Sequence, residues 1–126
     1  MAQIRSFEDL EVYKLARQFR NKIYDLTKKL PNNEKYNLID QMRRASISLT
    51  SNIAEGYGRY HYQENIQFCR QARGSLNELM DQLMACSDLG YIDKKTIESF
   101  LTEAQKICRY LNAYIKSTIT RQKSSP

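Results

Sequence analysis

Glu11-Val12-Tyr13-Lys14-Leu15-Ala16-Arg17-Gln18-Phe19-Arg20-Asn21-Lys22-Ile23-Tyr24-Asp25-Leu26-Thr27-Lys28-Lys29-Leu30 is the stretch on which the fold turns. Val12, Leu15, Ala16, Phe19, Ile23, Leu26 and Leu30 recur at helical steps and share one face, with charged residues filling the rest. A half-buried strand would alternate at every second residue, and this stretch does not. Upstream, Ser6 with Asp9 three residues on is a weak capping box, which prefers Glu or Gln. Downstream, Pro31 pushes the residue before it out of the α region. The spacing predicts a helix over residues 7–30.

Three more segments carry the same period. Leu38, Met42, Ala45, Leu49 and Ile53 follow Asn32-Asn33, either of which can cap, and Gly56 and Gly58 allow a left-handed stop. Ile66, Cys69, Ala72, Leu76, Leu79, Met80, Leu83 and Cys86 run up to the stop signal Leu89-Gly90. Asp93 caps a fourth stripe: Ile97, Phe100, Leu101, Ala104, Ile107, Cys108, Leu111, Ile115 and Thr118. Helices over 7–30, 33–58, 62–89 and 93–119, joined by short connections, predict an all-α, antiparallel up-down-up-down four-helix bundle filling residues 1–126 as one domain. The tail, residues 120–126, has no periodicity and is expected to fray. The expected core includes Leu15, Phe19, Ile23, Leu49, Ile53, Leu76, Leu83, Phe100, Ala104 and Leu111.

A chain of 126 residues supports one sizeable core, and two prolines and four glycines exclude collagen-like and linker-rich classes. The longest apolar run is the four residues Leu83–Cys86, far short of the ~18 a membrane-spanning helix needs. The first residues lack the apolar core of a secretory signal, so a cytoplasmic protein without a membrane role is expected. The net charge is +6 and its distribution is uneven. Residues 1–33 carry +3, 34–60 +1, 61–92 −2 and 93–126 +4, so the excess lies toward the two ends of the chain. Such a balance fits an acidic partner such as nucleic acid, although basic solvated helix faces are common in any case.

Cys69, Cys86 and Cys108 form no metal-ligand spacing. Two cysteines 17 residues apart on one helix stand roughly 25 Å from each other, too far for a disulfide. They read as small core residues. The second segment is less ordinary. Ile47 and Ala54 fall nearly opposite its apolar stripe, which points to a contact outside the bundle, most simply another subunit, although isolated exposed apolar residues are also normal. Between the two faces run Arg44, Ser48, Asn52 and Glu55. No second carboxylate, histidine or metal set accompanies Glu55, so this polar stripe reads as a packing network or an oligomer interface rather than a catalytic site. No cofactor is implied.

Phe7-Glu8-Asp9-Leu10-Glu11-Val12-Tyr13-Lys14, Ile23-Tyr24-Asp25-Leu26-Thr27, Gln41–Ser48, Ser51-Asn52-Ile53-Ala54-Glu55-Gly56-Tyr57-Gly58-Arg59, Gly74–Leu79 and Asp88-Leu89-Gly90-Tyr91 together resemble the intervening-sequence protein family. Those four-helix bundles were first noticed as reading frames inside insertions in bacterial large-subunit ribosomal RNA genes. The resemblance covers roughly residues 6–118, and the Asn-Ile-Ala-Glu-Gly-x-Gly-Arg stretch is its most specific part. Tyr13 stands where the family usually has tryptophan, and Asn37 where it often has glycine. The resemblance implies a ring, a homopentamer, without established enzymatic activity. A related group of basic pentameric bundles assists the reverse transcriptases of diversity-generating retroelements, so a reverse transcriptase or ribonucleoprotein partner is a further expectation.

The turn Gly56-Tyr57-Gly58-Arg59-Tyr60-His61-Tyr62-Gln63 interleaves aromatics with base, a pattern on which a single-stranded nucleic acid could stack. Its bland reading packs Tyr57 and Tyr62 at the bundle end and leaves Tyr60 and His61 in solvent. The expected function is a non-enzymatic, basic, oligomeric module that binds RNA or DNA, or a nucleoprotein. A purely structural or protein-interaction oligomer is the alternative. The expected nucleic-acid surface joins Arg17, Arg20, Lys22, Lys28 and Lys29 to Lys106, Arg109, Lys116, Arg121 and Lys123, with Arg59 at the turn.

Overall fold

The computed structural model describes residues 4–124, and every regular element among them is helical. The four long helices are α1 (Glu11–Thr27), α2 (Asp40–Tyr57), α3 (Tyr62–Asp88) and α4 (Lys94–Ser124). Cross-links fix their directions. Arg20 reaches Thr50 and Arg43 reaches Thr27, so α1 and α2 run antiparallel. Ser75 bonds Ser48 while Cys86 meets Met42, which sets α3 against α2 in the opposite sense. Gln122 bonds Gln63 and Arg73 bonds Asn112, so α4 opposes α3 and therefore also α1, which runs in the same sense as α3 and meets α4 at Lys22–Glu103. The result is an antiparallel four-helix bundle.

One face of each helix fills the core. Phe19, Ile23, Met42, Leu49, Ile53, Leu76, Leu79, Leu83, Ile107 and Leu111 are its largest fully buried apolar side chains. Leu15 and Phe100, expected in that core, are only partly buried and pack against its edge. They sit beside the α1–α4 seam, where the apolar stripe gives way to charge. Phe100 still touches Phe19, with ring centroids 6.1 Å apart. Cys69 and Cys86 are buried, and Cys108 is partly so.

The helix ends depart from their expected places for local reasons. Ser6 and Asp9 do form a capping box, but on a separate 3₁₀ turn (Phe7–Asp9). Leu10 then adopts an extended conformation and is buried, so α1 starts at Glu11 rather than near residue 7. At the far end Lys28, Lys29 and Leu30 donate to carbonyls three residues back, tightening the chain before Pro31 is reached. Asn32 and Asn33 do not cap the next helix. They open a 3₁₀ turn (Asn32–Glu34) that runs through a π-helical turn (Lys35–Ile39) into α2. The Tyr91 hydroxyl donates to Glu34 at 2.9 Å, tying this connection to the α3–α4 turn, and that bond pushes the Tyr91 pKa up.

Neither Gly56 nor Gly58 makes a left-handed stop; among the described residues only Gly90 has positive φ, at 74°. Gly56 instead allows close approach. A Cβ there would lie 2.9 Å from Asn65 Oδ1 and 3.0 Å from Phe68 Cβ. Asp93 caps α4 as expected, accepting from the Thr96 amide and hydroxyl, which lowers its pKa. The helix does not fray at residue 120 but continues to Ser124. Its last turn carries no apolar stripe and is held by polar bonds, among them Gln122 to Gln63 and Arg121 to Thr118. Ser125 and Pro126, the rest of the expected tail, lie outside the described residues.

Candidate nucleic-acid interface

Most of the expected cations of α1 and of the turn after it have neighbours within the bundle. Arg20 turns toward α2, donating to Thr50 and Asn21. Lys22 pairs with Glu103 at 3.1 Å across the α1–α4 seam, and Lys28 with Asp25 at 3.3 Å. Lys29 lines a cleft of about 280 Å³ with Lys22, Asp25 and Asp93, and its charge helps to lower the Asp93 pKa. Leu26, Ile92 and Phe100 give that cleft an apolar lining. Charges of both signs meet there, so the seam has little net field. Arg17 is exposed on α1 without an ion pair among the described residues.

The other edge of α4 differs. Arg109, Lys116 and Lys123 are all exposed, and none comes within 4.0 Å of a carboxylate among the described residues. They are spaced seven apart, a period that drifts only about 20° per step around a helix. Successive members therefore stand about 10 Å apart along one line. Helical geometry turns this line away from the core residues Ile97, Ala104, Ile107 and Leu111 and toward the α3 side. There Arg73 donates to Asn112 at 2.8 Å, and Arg70 lies exposed one turn earlier on α3. Sequence reasoning passed over both arginines because their segment sums to −2. Only the antiparallel packing of α3 on α4 brings them beside the basic half of α4.

The remaining expected cations are engaged in other ways. Lys106 lies over the Tyr110 ring, 6.0 Å from its centroid. Arg121 bonds Thr118 and stacks near Tyr62 and Tyr114, each centroid 5.9 Å away. Arg59 pairs with Glu55 at 3.1 Å, approaches Glu64 at 3.9 Å and covers the Phe68 ring. It braces the α2–α3 turn more than it offers charge. Tyr57 and Tyr62 are half-buried while Tyr60 and His61 are exposed, as the bland reading of that turn anticipated.

The polar stripe of α2 is not continuous. Arg44 pairs with Asp40 at 3.8 Å, and Glu55 goes to Arg59. Ser48 and Asn52 bond each other, and Ser75 donates to Ser48, so the middle of the stripe stitches α2 to α3. Further along α3 the Gln82 Nε2 donates to Glu78, while its buried Oε1 has no partner among the described residues. On the outer side, Ile47 is 43% exposed, and Ala54 helps to line a shallow depression with Phe7, Ser51 and Gly58. Burial pushes the Cys69 and Cys86 thiols up to about 11, so at neutral pH both stay protonated and unreactive. Among the described residues no group of three His, Cys, Asp or Glu is placed to hold a metal ion. No helix among them is long and apolar enough to cross a membrane.

The sequence profile of the 23S rRNA-intervening sequence protein family matches residues 8–113. The chain belongs to that family. Among solved structures it is similar to a protein of unknown function from the S23 ribosomal protein family of Bacteroides thetaiotaomicron. The two are 25% identical and superpose with a TM-score of 0.77, over 83% of this chain and 95% of the other. No curated protein matches it. The matched span of the intervening-sequence family takes in α1 through most of α4, including Arg70, Arg73 and Arg109, while Lys116 and Lys123 lie beyond it.

Proposed function

We propose that this intervening-sequence protein is a non-enzymatic RNA-binding module whose contact surface is the α3–α4 face. The observation that carries the reading is the line Arg109, Lys116 and Lys123, exposed and without acidic partners among the described residues, with Arg70 and Arg73 alongside. A polyanion gains most from cations that have no competing carboxylate, because each phosphate contact releases condensed counterions. Contacts of this kind position a strand without reading its sequence, so weak base preference and steep salt dependence are expected. The family's name, which ties it to 23S rRNA, favours RNA over DNA as the first ligand to try.

Self-association is part of the same proposal. The outer face of α2 exposes Ile47 and, with Ser51, Ala54 and Gly58, leaves room for another backbone. A head-to-tail contact that closes gives a ring, here a homopentamer, which would repeat the basic face and multiply its field. A reverse transcriptase or other ribonucleoprotein partner would then be reached through shared RNA. The exposed Ile47 equally favours the second reading, an oligomeric scaffold with no nucleic-acid role. Fluorescence anisotropy with a short single-stranded RNA, alongside light scattering, separates them. Salt-sensitive binding by the oligomer supports the first reading. An oligomer without affinity for RNA leaves the second. Ile47→Glu should dissociate the oligomer while far-UV circular dichroism stays helical.

A further inference from the structure

The geometry points to Tyr60 as a stacking platform for an unpaired base of single-stranded RNA, at the end of the bundle where α2 turns into α3. This rests on the RNA-binding reading of the α3–α4 face and deepens it. Tyr60 is 93% exposed, the most exposed of the large apolar and aromatic side chains among the described residues. Its ring is nevertheless not loose in its setting. His61 meets it edge-on, with centroids 5.1 Å apart and planes at 88°. The backbone on either side is pinned: Arg59 N donates to the Gly56 carbonyl and Asn65 N to that of His61, both at 3.2 Å. The Arg59 side chain reaches back to Glu55, forward to Glu64 and down onto Phe68. A braced turn thus presents a solvated ring, which lowers the ordering cost of binding. It also engages the two nearby carboxylates with Arg59, so they oppose a phosphate less.

The platform leads onto the basic line. Gln63, three residues after Tyr60, accepts from Gln122, so the last turn of α4 lies beside the start of α3. Lys123 is on that last turn, and Lys116 and Arg109 follow it at intervals of about 10 Å. A strand with one base on Tyr60 therefore continues over successive cations. Aromatic stacking suits any unpaired base, because every base offers a π-face, and it is closed to a base already stacked within a duplex. The site selects for single strands rather than for sequence.

The test compares a single-stranded RNA 12-mer with its duplex, using native protein, Tyr60→Ala and Tyr60→Trp. Loss of one stacked base, ~1–3 kcal/mol, corresponds to roughly 5- to 150-fold in affinity. Tyr60→Ala should lose single-strand affinity by that factor and keep duplex affinity unchanged. Tyr60→Trp should retain single-strand affinity, and because the chain has no tryptophan its indole fluorescence reports the site alone. Quenching by the single strand is expected. Single-strand affinity unchanged in Tyr60→Ala, or single-strand and duplex affinity falling together, overturns the platform and leaves the basic-face reading standing. If native protein binds neither RNA, the basic-face reading fails and takes the platform with it.

Discussion

The two edges of α4 are built from the same kinds of residue and do opposite things. Toward α1, cations meet acids: Lys22 with Glu103, and Lys29 near Asp93, over the apolar surface of Leu26 and Phe100. Toward α3, Arg109, Lys116 and Lys123 have no carboxylate within 4.0 Å among the described residues, and Arg73 is held by a neutral amide, Asn112. The first edge uses charge to close a seam. The second leaves its charge for something else. The difference shows that charge summed over a segment does not locate a binding face; pairing after folding does.

The largest effect that separates the edges should come from the seam. Leu26 is buried, and Leu26→Ala should cost about 2–5 kcal/mol in denaturant unfolding, with RNA affinity of the folded protein unchanged. A loss below ~0.5 kcal/mol would mean the seam is not structural. Next comes the face. Reversing Arg109, Lys116 and Lys123 to Glu should weaken RNA binding on the order of a hundredfold at ~50 mM salt and flatten the log–log salt slope by about 2, near 0.7 per lost single-strand contact. Reversing Lys22, Lys28 and Lys29 should change affinity no more than about threefold, since these cations already have acidic neighbours. Equal losses from the two triple variants would erase the distinction.

Smaller changes sharpen the same comparison. Glu103→Gln removes the partner of a half-exposed Lys22, so its stability cost should stay within ~1 kcal/mol. The released lysine should raise RNA affinity about twofold. If affinity falls instead, Glu103 itself contributes to binding. The slightest effect is one of pH. The Asp93 pKa is lowered, chiefly by the Thr96 hydroxyl and amide and also by Lys29. Its native carboxyl takes up a proton later than the unfolded one, so its contribution is intact above the usual aspartate value near 3.9. That contribution vanishes as pH falls through the native pKa. A thermal midpoint followed from pH 5 to 2 should drop less steeply in Asp93→Asn than in the native protein.

The fold was legible because four uninterrupted 3.6-residue stripes leave few packings open. Its boundaries were less so. Leu10 leaves the helix in order to be buried, and Asn32–Ile39 threads 3₁₀ and π turns that no apolar period announces. The end of α4 was hidden because Arg121 and Gln122 hold it through polar bonds rather than apolar packing. The candidate face was half legible. Arg109, Lys116 and Lys123 stand out in the sequence, whereas Arg70 and Arg73 are masked by Glu64, Glu78, Asp81 and Asp88 in the same segment. Pairing partners such as Glu103 for Lys22 are 81 residues apart, and only packing discloses them.

The most direct test is the affinity of the native protein for single-stranded RNA, measured from ~50 to 200 mM salt. An α3–α4 face that works through unpaired cations predicts binding whose log K falls linearly with log salt, at a slope of about −2 or steeper. No detectable binding at ~50 mM salt, or binding indifferent to salt, would contradict it.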